Sequence, residues 1–162
     1  MTPLASLNDI AAGPVIADGY VIATAQSGVM TALDLRTGQR VWSQPAGALG
    51  FPLIAGDFVY TVTTEGKVAC LSKLDGSVAW IRQLPAYKNE KKRKKRIVWT
   101  GPILEGDRLF VASSKGNSVV LNPYDGSILS EGKVGEAVFV PPVIANETIY
   151  LVTDNAKLIA LR

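Results

Sequence analysis

One pattern of 30 residues, written four times, limits what this chain can fold into. Its first copy is Gly13 to Trp42, GPVIADGYVIATAQSGVMTALDLRTGQRVW, which reads as four short strands joined by three tight turns. Apolar Val15–Ala17 closes at Asp18-Gly19, Tyr20–Thr24 at Ser27-Gly28 and Val29–Leu35 at Thr37-Gly38; Gln39–Trp42 ends the unit. Asp-Gly and Ser-Gly between β-rich runs mark hairpins, because glycine supplies the positive φ that such turns need. The second copy is Phe51–Trp80, the third Gly101–Ser130, and a shortened fourth runs Pro141–Arg162. Prolines 14, 52, 102 and 142 set intervals of 38, 50 and 40 residues, and turn glycines Gly38, Gly76 and Gly126 repeat the first two. An isolated meander leaves a sheet face bare, so it needs neighbours. A period of roughly 40–45 residues with four strands per unit is that of propeller blades, which cover one another face to face.

The sequence therefore predicts an all-β fold in one domain, residues 1–162, with antiparallel blades near 13–42, 51–84, 101–134 and 141–162. Composition agrees. Hydrophobic content of 48% with 19% charged residues suits a packed core, and no segment carries a helical period. No apolar run approaches the roughly 18 residues needed to cross a membrane as a helix. The residues after Met1 lack the positive charge of a secretory leader, so the chain is expected to be cytosolic or a piece of a longer secreted protein.

Several side chains are candidates for structural or chemical roles. Asp34, at a strand end before Thr37-Gly38, is placed to accept backbone N–H groups of that turn. Trp42 is large enough to bridge to the next blade while its N–H bonds to the rim. Asp75-Gly76 and Trp80 repeat this in the second unit, where Ser72 stands for the aspartate. The third keeps Leu121, Asn122 and Asp125-Gly126, but Ser130 replaces the tryptophan, which predicts weaker docking. Cys70 lies between Ala69 and Leu71 on an apolar strand; with no histidine and no second thiol, it reads as a small core residue. The acids are scattered over turns without an acid/base couple, and there is no phosphate-binding loop.

The one charge run is residues 87–96, YKNEKKRKKR, where Lys91, Lys92, Arg93, Lys94, Lys95 and Arg96 follow Lys88 and Glu90. It accounts for the interval of 50 residues. It reads as a solvated hairpin inserted between blades two and three; the sharper reading is contact with phosphates of lipid or nucleic acid. Trp99, just after it, reads as a core or rim residue of blade three.

The spacing Ala32-Leu33-Asp34, then Thr37-Gly38, then Trp42 resembles the pyrroloquinoline quinone (PQQ)-like repeat, which builds eight-bladed propellers in quinoprotein dehydrogenases and in the outer-membrane barrel-assembly factor BamB. The run from Ser6 to Trp42 is similar to the start of the second half of the BamB family, and the ending Leu158–Arg162 resembles that family's C-terminus. The resemblance covers nearly all of this chain and about half of a family member. It implies half of an eight-bladed ring, with Met1 an artificial boundary and the signal and lipid-anchored cysteine upstream. It further implies a non-catalytic scaffold on the periplasmic face of the outer membrane, without cofactor or metal. The partners implied are the barrel subunit BamA and nascent outer-membrane proteins. Acidic residues leading into this half contact BamA in the family; Asp9 occupies the first such position and Ala11 the second. Two other readings stay open: a fragment of a PQQ-dependent dehydrogenase, whose vicinal disulfide a single cysteine cannot make, and a module binding anionic partners through the basic run. No nucleic acid is expected. Half a ring exposes two flanks, so pairing of two copies or an open arc is expected over closure, and Thr2–Leu7 is a candidate for the strand that blade four lacks.

Overall fold

The structure, a computed structural model, describes residues 12–25, 28–48 and 50–162. Asp9, Ala11, the lead-in Thr2–Leu7 and the turn residue Ser27 lie outside the described residues. All described regular structure is β. The first sheet is β1 (Val15–Ala17), β2 (Tyr20–Thr24), β3 (Met30–Asp34) and β4 (Arg40–Gln44). The second is β5 (Leu53–Ala55), β6 (Phe58–Val62), β7 (Lys67–Ser72) and β8 (Val78–Gln83). A small hairpin, β9 (Tyr87–Asn89) and β10 (Lys94–Arg96), comes next. The third sheet is β11 (Trp99–Glu105), β12 (Arg108–Ser113), β13 (Asn117–Leu121) and β14 (Ile128–Lys133). The fourth has three strands, β15 (Val143–Ala145), β16 (Thr148–Val152) and β17 (Leu158–Leu161).

Each sheet is an antiparallel meander in chain order. The units also agree in register. Ala32 pairs with Trp42, Cys70 with Trp80 and Val120 with Ser130, and each pair is followed by a one-residue irregularity. Their first strands touch in succession, β1 to β5, β5 to β11 and β11 to β15, and so line the inner side of an arc. This is a partial β-propeller of four blades.

The core lies between blades. Along a strand, side chains alternate between faces. Val59 turns back into a cluster with Ile22, Met30, Ala32 and Trp42 of blade one. Its neighbour Tyr60 turns forward, with Val62, Val68, Cys70 and Trp80, against Leu109, Val111, Val119 and Leu121 of blade three. Phe110 and Ala112 then meet Ile149 and Leu151 of blade four. A middle blade is covered on both faces, which is why β6 and β7 read as continuous apolar runs without alternation.

The end blades are covered on one face only. Val143, Val152 and Leu158 of blade four are 61, 48 and 68% exposed, and Ile16 of blade one is 59% exposed. Among the described residues the four blades therefore form an open arc.

Candidate partner-binding surfaces

The blades are locked edge to edge by tryptophan. Trp42, the one buried residue of β4, donates its Nε1–H to the Lys73 carbonyl oxygen at 2.8 Å. Its ring lies on Gly76, where an added Cβ would stand 2.7 Å from Cδ2. Trp80 repeats both contacts one blade on: Nε1–H to the Pro123 carbonyl at 2.8 Å, and ring on Gly126, where a Cβ would lie 2.5 Å from Cε3. Gly38, Gly76 and Gly126 share φ near +70°, so each turn needs glycine for its backbone and two need it again for room. Gly38 has nothing within 4 Å of its Cβ position: it is a socket of the same shape with no indole in it. Ser130 sends no ring toward blade four, and β14 is exposed along its length.

Two further side chains support the blades: the sequence reading does not single out Arg82, and it places Trp99 in the core or rim of blade three. Arg82, two residues after Trp80, donates Nε–H to the Gly126 carbonyl at 2.7 Å. Trp99 is buried in the core between blades two and three, where its Nε1–H meets the Pro85 carbonyl at 2.8 Å.

The carboxylates of the outer turns serve those turns. Asp34 Oδ1 accepts from the Thr37 N–H and Oγ1–H, both at 2.7 Å. In blade two the role passes from the Ser72 position to Asp75, which accepts from the Ser77 N–H at 3.0 Å and its hydroxyl at 2.8 Å. In blade three Asp125 accepts from the Ser127 N–H at 2.8 Å, and Asn122 from the Tyr124 N–H at 2.8 Å. These hydrogen bonds favour the charged form and hold Asp34, Asp75 and Asp125 below the ordinary aspartate value of 3.8. A depressed carboxylate stabilises the fold fully above its unfolded value, and that contribution is lost as pH falls through the folded one. The share of thermal stability that these three turns supply should therefore be lost as pH falls below 3.8. A triple Asp34→Asn, Asp75→Asn, Asp125→Asn variant should show a flatter profile over the same range; an unchanged profile would remove these turns from the account.

The basic run occupies the opposite rim, at the Lys67 end of blade two. It is a hairpin with a built root. Lys94 pairs with Asn89 and Arg96 with Tyr87. Glu90 Oε1 accepts the Ala86 and Tyr87 N–H groups at 2.8 and 2.9 Å. Arg96 donates to the Thr64 carbonyl at 2.6 Å, and the Arg93 guanidinium lies 5.7 Å from the Tyr87 ring centre. Arg93 and Lys95 take left-handed φ of +47 and +59°. All six cations from Lys91 to Arg96 are exposed, and none is ion-paired with a described carboxylate. Between this hairpin and the loop 64–67 lies an open cleft of about 840 Å³, lined by Thr64, Glu65, Lys67, Tyr87, Arg93 and Arg96.

Little else is poised for chemistry. Cys70 is buried, and desolvation pushes its thiol up to about 11, away from the thiolate that a nucleophile or metal ligand needs. Burial likewise raises Tyr60 above the ordinary phenol range. Among the described residues no three His, Cys, Asp or Glu side chains converge as a metal site.

Comparison with known proteins adds relatives to this geometry. The family model described as outer membrane protein assembly factor BamB matches residues 1–82 and 88–162. The outer membrane protein assembly factor BamB of Moranella endobia is 27% identical over 161 residues, 99% of this chain and 39% of that protein. The Escherichia coli K12 protein of the same name is 30% identical over 146 residues, 90% of this chain and 35% of that one. In three dimensions the chain is similar to the crystal structure of BamB from Moraxella catarrhalis, with a TM-score of 0.83 and 20% identity, over 98% of this chain and 45% of that one. The chain thus spans about 35–45% of the length of these three relatives.

Proposed function

This chain belongs to the family of outer membrane protein assembly factor BamB, and from that footing we propose that it is a non-catalytic scaffold in the assembly of β-barrel proteins into the outer membrane. The observation that carries this reading is the family match along almost the whole chain, on an arc of blades whose polar groups serve the fold. Asp34, Asp75 and Asp125 are committed to their own turns, and Cys70 is sealed in the core. What remains available are loops on two rims and flanks at two ends. A stack of blades holds such loops at fixed separations, which is what a docking platform requires.

The open ends fit a larger ring. The forward face of blade four offers Val143, Tyr150, Val152 and Leu158, matching in register the Leu53, Tyr60, Val62 and Val68 that blade two packs on blade three. At the other end Gly38 is a vacant seat for a tryptophan. On this reading the chain is one arc of an eight-bladed propeller, anchored by lipid on the periplasmic side. Two copies that meet by these flanks supply each other with the same faces.

BamA is the proposed partner, with Asp9 as a contact residue and nascent barrel proteins as the clients. The test is a titration of the purified chain against the periplasmic part of BamA. Binding is expected, and Asp9→Lys is expected to weaken it at least about tenfold by placing like charge at the contact. Absence of binding by the unmodified chain, or an Asp9→Lys variant that binds equally well, overturns the assignment.

A further inference from the structure

We propose that the Lys88–Arg96 hairpin is a docking element for an anionic phospholipid surface, with Lys91, Lys92, Lys94 and Lys95 meeting the lipid phosphates. The charge distribution points there. Residues 88–96 hold seven of the 17 lysines and arginines and one of the 14 acids, so the remainder of the chain is net negative by three. The molecule is an acidic body carrying one basic prong.

The prong is built to present that charge. An isolated two-stranded hairpin is marginal in water. This one is braced at its root by Glu90 on the Ala86 and Tyr87 N–H groups, by Arg96 on the Thr64 carbonyl, and by an Ile97 N–H bond of 2.8 Å to the Ala86 carbonyl beside buried Leu84 and Ile97. Its one acid, Glu90, is occupied in that bracing and leaves the lysines unneutralised. The four lysines take no part in the bracing through their side chains and are exposed. Clusters of four to eight cations at a membrane surface bind anionic headgroups additively, and the attraction fades within a Debye length of about 8–10 Å. A projecting hairpin brings its charge within that distance while holding the acidic body back.

The same geometry disfavours a nucleic acid. A polyanionic strand lying along the protein would meet the negative body, and the hairpin offers only Tyr87, already covered by Arg93, as a stacking surface. The choice of a membrane rests on the assembly-factor reading above, which puts the chain beside a bilayer.

The test is sedimentation of the full chain with vesicles of phosphatidylglycerol and phosphatidylcholine, against vesicles of phosphatidylcholine alone. Binding is expected on the anionic vesicles only, and it should weaken as salt rises. The variant Lys91→Gln, Lys92→Gln, Lys94→Gln, Lys95→Gln leaves Asn89, Glu90, Arg93 and Arg96 to hold the hairpin; it should lose binding by at least about 100-fold. Lysine-to-arginine replacement at the same four positions should restore it. Equal binding to neutral vesicles, undiminished binding by the glutamine variant, or tighter capture by duplex RNA in the same buffer overturns the proposal. If vesicles fail while BamA is still bound, the lipid assignment falls and the scaffold reading stands. If vesicles bind and BamA does not, the hairpin's role survives the loss of that reading.

Discussion

Trp80→Ala is expected to cost about 3–5 kcal/mol, the range for truncating a large buried aromatic. A domain of this kind has only about 5–15 kcal/mol in total. Three effects coincide at this residue. The ring is nearly buried in the largest cluster, 6.1 Å from the Tyr60 ring centre. Its N–H is the partner of the Pro123 carbonyl, which the alanine leaves unpaired in a buried setting. Its flat face covers the Gly126 turn, so truncation opens a void against that turn. Trp80→Phe keeps an aromatic ring and loses the hydrogen bond, so it should fall well short of the alanine variant. Urea denaturation checks both: the midpoint should drop with little change in slope. A loss below about 1 kcal/mol for Trp80→Ala would mean that blades two and three hold together without it.

The contrast with blade three explains how far the sequence could be read. Four units, their turns and the indole at the edge of the first two are local features: glycine spacing and a period of two display them directly. The hairpin was legible for the same reason, as an insertion that lengthens one interval. Which face of a blade meets which neighbour is not local. Nothing in the order Trp80-Ile81-Arg82 says that the indole and the guanidinium end on one turn more than 40 residues ahead, yet the first bonds to Pro123 and the second to Gly126 there. Trp99 reads as a core or rim residue of blade three, and only the folded chain shows that its hydrogen bond reaches back to Pro85. The bracing of the basic run by Glu90, and the left-handed Arg93 and Lys95, depend on the folded hairpin and leave no trace in a list of charges.

Gly126→Ala should be costly for a reason that its counterpart Gly106→Ala lacks. Both residues sit at positive φ, +69° and +53°, so a Cβ strains either backbone by roughly 1–2 kcal/mol. At Gly106 nothing lies within 4 Å of the added atom, and the strain should be the whole effect. At Gly126 the atom would fall 2.5 Å from Trp80 Cε3 and 2.8 Å from Cδ2. The indole cannot simply withdraw, because its N–H is bonded to the carbonyl of Pro123, three residues earlier in the same turn region. Overpacking of this kind adds roughly 1–3 kcal/mol. The added term belongs to the ring, so it should vanish when the ring does. In a Trp80→Ala background, Gly126→Ala should cost no more than Gly106→Ala, giving a coupling of roughly 1–3 kcal/mol between the two sites. Measured coupling near zero would mean that the tryptophan and the turn are merely adjacent. The repeat's glycine would then be kept for its φ alone, and the cohesion of successive blades would have to come from the apolar faces behind it.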